Sequence, residues 1–82
     1  MEETRVAVIS IIVENTGAVE ELNRLLHEYG ADIIGRMGIP YPKKGVNIIS
    51  IAVDAPADRI NALTGALGRL KGLTAKAAYS HV

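Results

Sequence analysis

One stretch of this chain is written twice. "VAVISIIVE" (6–14) returns as "VNIISIAVD" (46–54): Val6, Ile9, Ser10, Ile11 and Val13 reappear as Val46, Ile49, Ser50, Ile51 and Val53, at a constant offset of forty. Glu14 reappears as Asp54, and after one extra residue Leu22 and Leu26 reappear as Leu63 and Leu67. A strand-like segment followed by a helix-like one is therefore repeated, which restricts the chain to folds built from two similar halves.

The rest of the chain fits between these anchors. Residues 5–14 are rich in β-branched side chains and predict a buried strand. Val19, Leu22, Leu25, Leu26 and Tyr29 then form one helical stripe, with Glu20, Glu21, Arg24 and Glu28 on the opposite side. Gly30 is placed to end that helix as a left-handed C-cap. "DIIGRMGI" (32–39) predicts a second strand, and "PYPKKG" (40–45) a turn that stops it, because Pro40 and Pro42 lack donors. "VNIISIAVD" is the third strand. Pro56 suits the first turn of a second helix, whose stripe is Ile60, Leu63, Leu67 and Leu70. After Gly72, "LTAKAAYS" (73–80) alternates as an edge strand with Lys76 facing outward.

The order βαββαβ in two matching halves predicts an α+β, ferredoxin-like sandwich: a four-stranded antiparallel sheet with two helices on one face. Right-handed crossovers are expected to bring the first and third strands side by side at the sheet centre, parallel to one another. At 82 residues the chain reads as one domain, 1–82. A domain this small buries only roughly 60% of its unfolded surface. Yet both faces of its central strands are apolar. Ile9, Ile11 and Val13 share one face with Ile49, Ile51 and Val53, while Val8, Ser10 and Ile12 share the other with Ile48, Ser50 and Ala52. Helices cover one face only, and an open sheet facing water alternates more cleanly than this. The expected partner is a second copy, in a dimer or tetramer with closed symmetry.

Composition narrows the function. Nine basic residues balance nine acidic ones, so no net field recruits nucleic acid or an anionic membrane. There is no cysteine, which removes disulfides, thiolate chemistry and cysteine-based zinc sites. The opening "MEETR" has no apolar run typical of a leader, and Val6–Val13 is too short to span a bilayer, so a cytoplasmic location is expected. An enzyme is not expected: Ser10 and Ser50 sit mid-strand with no histidine nearby in sequence. His27 and His81 stand apart and lack a strong partner ligand, so no metal or other cofactor is expected. "GALG" (65–68) lies within a helix and is no phosphate loop; close helix packing is its expected purpose.

"ENTG" (14–17) is the segment best placed to bind something. Asn15 or Thr16 can cap the first helix, and Glu20 and Glu21 suit its positive end. Gly17 is demanded less by capping, and a glycine there lets a carboxylate approach free N–H groups at the helix start. Arg36, on the second strand or on a neighbouring subunit, could pair with the same carboxylate in a bidentate fork. Asn15, Thr16, Gly17 and Arg36 are therefore the candidate ligand-binding residues.

The run "VENTGAVEELNRLLHEYGADI" (13–33) resembles the opening of ACT domains, a regulatory fold that typically binds amino acids. Glu14 or Asn15, Gly17, Gly30 and Ile33 match, while Thr16 stands where that family usually has proline. With "GRMGIPYP", "VNIISIAVD" and "INALTGALGRLKGLTAKAAYS", nearly the whole chain is similar to a stand-alone bacterial family labelled as regulators of the iron-only hydrogenase system. That family's fold is related to the ligand-binding domain of the nickel-responsive repressor. The resemblance implies a regulatory, oligomeric, ferredoxin-like domain, and the ACT likeness makes a small ligand such as an amino acid the expected signal. It does not transfer the nickel site, because cysteine is absent and the histidine spacing differs. Nor does it supply a DNA-binding segment, so any control of transcription passes through a partner. Two rival readings follow: a ligand-free interaction module, whose glycine only serves the turn, and a metal-responsive sensor resting on His27 and His81.

Overall fold

The computed structural model describes residues 3–81. Its elements follow the order β1 (Arg5–Val13), α1 (Val19–Glu28), β2 (Ile33–Tyr41), β3 (Val46–Ala55), α2 (Ala57–Gly68) and β4 (Leu73–Tyr79). Short 3-10 turns precede and follow α1, at Thr16–Ala18 and Gly30–Asp32. The sheet order is β2-β3-β1-β4, and every neighbouring pair is antiparallel. This is the ferredoxin-like arrangement, with both helices on one face.

β1 and β3 do lie together at the centre, but antiparallel rather than parallel. Each crossover makes the two strands it joins parallel: β1 with β2, and β3 with β4. Because β3 returns from β2 through a tight turn, it runs against β1. The two copies of the repeated motif meet about a local symmetry, with Ser10 opposite Ser50, Ile9 opposite Ile51 and Ile11 opposite Ile49.

Strand alternation separates two surfaces. Ala7, Ile9, Ile11 and Val13 face the helices with Ile49, Ile51, Val53 and Ala55, and all are buried. Leu22 and Leu26 of α1 and Ile60, Leu63 and Leu67 of α2 close over them, with Val19, Leu25, Tyr29 and Leu70 packed at the margin. On the solvent side of α1, Arg24 bonds Glu21 at 2.7 Å and Glu28 at 3.3 Å. The hydrogen bond and charge of Glu21, then the charge of Glu28, raise the Arg24 pKa above its ordinary value. Tyr79 ties β4 to α2 by donating its hydroxyl proton to Asn61.

Four local expectations are corrected. Gly30 is not a left-handed cap; among the described residues only Gly45 and Gly72 have positive φ. The chain instead leaves α1 through the Gly30–Asp32 turn, and Asp32 N–H donates to the Tyr29 carbonyl at 3.0 Å. Pro40 does not stop the second strand, which continues to Tyr41. As an edge strand β2 needs only half its backbone donors, so a proline costs little there. Pro56 is the N-cap of α2, one position ahead of its first turn. Finally, Gly65 and Gly68 mark no close helix contact. A Cβ at Gly65 would meet only the Arg69 Nη1 at 3.6 Å, and at Gly68 nothing within 4 Å.

β2 is unusual in its exposure. Apart from half-buried Ile33, all of its residues are exposed. A bulge between Ile33 and Gly35 pushes Ile34 out of register, leaving it 65% exposed. The molecule is correspondingly long, 45 × 19 × 17 Å. Its radius of gyration is 12.6 Å, against about 11.7 Å for a compact chain of this length.

Candidate functional site

The turn at Asn15 is held from both sides. Asn15 has an extended backbone, and its Oδ1 accepts from the Gly17 N–H at 2.9 Å. Its carbonyl accepts from the Ala18 N–H at 2.9 Å, and the Thr16 carbonyl accepts from the Val19 N–H. The Glu14 and Asn15 N–H groups both donate to the Gly72 carbonyl, at 2.7 and 3.0 Å. Asn15 is thus a cap, as expected, though of the 3-10 turn that leads into α1. The N–H groups of residues 17–19 are already engaged inside that turn.

The four candidate residues do not converge in one chain. Asn15 and Gly17 border a concavity with Glu21, Leu70 and Lys71. Thr16 borders another, with Tyr41, Pro42 and Val46. Arg36 lines a third, the groove between α1 and β2, with Val19, Asn23, Gly38, Pro40, Asn47 and Ile49.

This third groove exists because β2 stands away from the helix. Past the bulge, Arg36, Gly38 and Pro40 occupy alternate positions opposite Ile51, Ile49 and Asn47, on the helix side of the sheet. Gly38 presents no side chain to the gap, and a Cβ there would meet nothing within 4 Å. The Arg36 Nη2 spans the groove and donates to the Asn23 Oδ1 at 3.0 Å. The space measures about 300 Å³, and no carboxylate is among its lining residues. Asn23, Gly38 and Asn47 were not singled out as ligand contacts by sequence reasoning. The alternation Arg-x-Gly-x-Pro along an edge strand is a signal for Gly38; Asn23 on α1 and Asn47 on β3 have none in the sequence.

A further cluster joins α1 to α2. Arg59 holds the Asp32 Oδ2 through Nε at 2.7 Å and Nη2 at 2.6 Å, and lies over the Tyr29 ring at 5.2 Å. The Asp32 hydrogen bond, then its charge, raises the Arg59 pKa. Both partners are satisfied, so this cluster reads as a structural clamp. His27 and His81 are exposed. Among the described residues, no group of three or more His, Cys, Asp or Glu is placed to hold a metal. No helix in the described chain is long and apolar enough to cross a membrane.

The outer sheet face forms the other candidate surface. Ile12, Ile48 and Ile39 lie side by side across β1, β3 and β2, and Ser10, Ser50 and Met37 form the adjacent row. Val6, Val8, Ile12, Met37, Ile39, Tyr41 and Ile48 on this side are each between 38% and 60% exposed. Lys76, opposite Ser10 on β4, and Asp54, opposite Val6 at the end of β3, are charged groups at its edges.

Comparison with known proteins agrees with this architecture. Residues 5–77 match the family TM1266-like, described as "Iron-only hydrogenase system regulator, putative". A solved structure, that of the uncharacterized protein TM1266 from Thermotoga maritima, superposes with a TM-score of 0.90 at 32% identity. The match covers 94% of this chain and 98% of that one. No match is found among curated proteins.

Proposed function

The chain belongs to the TM1266-like family, and from that premise we propose that it is a non-catalytic cytoplasmic regulatory module. In this reading it self-associates through its outer sheet face and responds to a small carboxylate ligand, such as an amino acid. The hydrogenase system named in the family's description is the system it acts on. No basic stripe and no DNA-binding element is present among the described residues, so in this reading it acts through other proteins.

The apolar outer face carries this reading. A contiguous apolar surface of this kind on a water-facing sheet marks an interaction site. Its centre is uncharged, with serines at the crossing of the two repeated strands, so it can pack against itself about a two-fold axis. The isolated chain exposes 5465 Å², against about 4,700 Å² for a compact monomer of 8.7 kDa, so it leaves more surface in water than its size requires.

Sedimentation equilibrium at tens of micromolar tests the assembly. The wild type is expected as a dimer or a higher even-numbered oligomer. Ile48→Lys is expected as a folded monomer, because an unpaired ammonium in an apolar interface is strongly disfavoured. A monomeric wild type overturns the assembly.

A further inference from the structure

The groove between α1 and β2 has a chemistry more specific than "small ligand". We propose that it binds small aliphatic monocarboxylates and their 2-oxo acids in preference to the corresponding amino acids, with Arg36 receiving the carboxylate. This rests on the ligand-binding reading above and narrows it.

Three observations carry the assignment. First, Arg36 is a cation without a carboxylate partner among the described residues; its hydrogen bond goes to the neutral Asn23 Oδ1 at 3.0 Å. A guanidinium has five donors in a fixed fork, so most remain available, and a carboxylate takes two of them in parallel. The Asn23 bond draws the exposed Arg36 side chain across the groove. Second, the walls next to it are apolar or bare: Val19, Ile49 and Pro40 give hydrocarbon contact, and Gly38 leaves open the space that any other residue would fill. At about 300 Å³ the space suits a small branched carbon chain. Third, nothing in the lining is anionic. The α-ammonium of an amino acid would find no counter-charge there and would sit beside the Arg36 cation. A keto oxygen or a methylene at the same place meets no such repulsion.

The other concavities are less suited. The one beside Asn15 and Gly17 sets the Glu21 carboxylate beside the Lys71 ammonium, so its charge is balanced and gives an acid no net attraction. The one beside Arg59 is occupied by its own ion pair with Asp32.

The test is a ligand-observed NMR titration of the full chain with isocaproate, α-ketoisocaproate, leucine and isoamylamine. These share one branched carbon skeleton and differ at the polar end. The two acids are expected to bind, leucine at least about tenfold more weakly, and the amine not at all. Arg36→Met should weaken the acids about tenfold or more, the scale of one charge-assisted hydrogen bond. Gly38→Val should abolish binding by filling the groove. Its φ is not positive and a β-branched residue suits a strand, so the fold should be kept. Unfolding midpoints near the wild type's confirm that both variants remain native. If the acids bind equally well to both variants, the groove assignment fails while ligand binding survives. If leucine binds as tightly as the acids, the selectivity is wrong. If none of the four binds at millimolar concentration, the groove assignment falls, and an amino-acid thermal-shift screen then decides the broader reading on its own.

Discussion

Gly72 has φ +86°, and a Cβ built on it would lie 2.4 Å from the Asn15 Cβ. Both facts forbid a side chain: L-residues pay for that backbone region, and the overlap would push apart the turn whose N–H groups the Gly72 carbonyl receives. Gly72→Ala is therefore expected to cost about 2 kcal/mol or more of unfolding free energy. Gly17 presents a milder case. Its φ is not positive, and a Cβ there would stand 3.2 Å from the Asn15 Oδ1. Gly17→Ala should cost less than about 1 kcal/mol, and Asn15→Ala about 1 kcal/mol through loss of the cap. Urea denaturation of the three variants ranks them; Gly17→Ala as the most damaging would reverse the account. The cap at Asn15 was legible in the sequence because capping is local. The need for Gly72 was not, because it arises where the end of β1 meets the α2–β4 turn, a contact that only the folded sheet brings about.

Within α2 the sequence signal and the packing diverge in a useful way. Gly65 sits inside the helix, yet its missing side chain makes room for nothing but ordinary contact with Arg69. Its helical cost is then uncompensated, and Gly65→Ala should raise stability by about 0.5–1 kcal/mol, read as a higher urea midpoint. Leu67, two residues on, is fully buried between the helices and the sheet. Leu67→Ala should cost about 2–5 kcal/mol, through lost burial and the cavity left behind. The stripes of both helices and the inward faces of β1 and β3 were legible because periodicity reports burial directly. The end of β2 is hidden in the sequence because Pro40, within it, and Pro42, just past it, resemble a stop. Whether a proline breaks a strand depends on which side of it is hydrogen-bonded, and that depends on the strand's place at the sheet edge. The α1–β2 groove was hidden for the same reason. The sequence points to Arg36 as a carboxylate partner, but Asn23 and Gly38 join it only once the bulge at Ile33–Gly35 sets the register.

For the molecule as a whole, the length of β2 and the apolar outer face pose one energetic problem. An 82-residue chain has a small core, and this one spreads its best remaining hydrocarbon over a surface left in water. If a second copy covers that surface, part of the stability of each subunit belongs to the assembly, since whatever binds only the native state stabilises it by mass action. The unfolding midpoint should then rise with protein concentration, by a margin greater than replicate scatter over a hundredfold dilution series. Ile48→Lys should abolish the dependence and unfold at one midpoint throughout, because a monomer's equilibrium contains no concentration factor. Lys76→Ala is the contrasting variant. It removes the charge from the β4 edge, where a lysine discourages pairing with other strands, and leaves the Ile12–Ile48–Ile39 row intact. It should keep the concentration dependence of the wild type. A wild-type midpoint that does not move with concentration, together with an Ile48→Lys midpoint equal to it, would mean that the outer face adds nothing to folding and that its apolar residues serve some other contact.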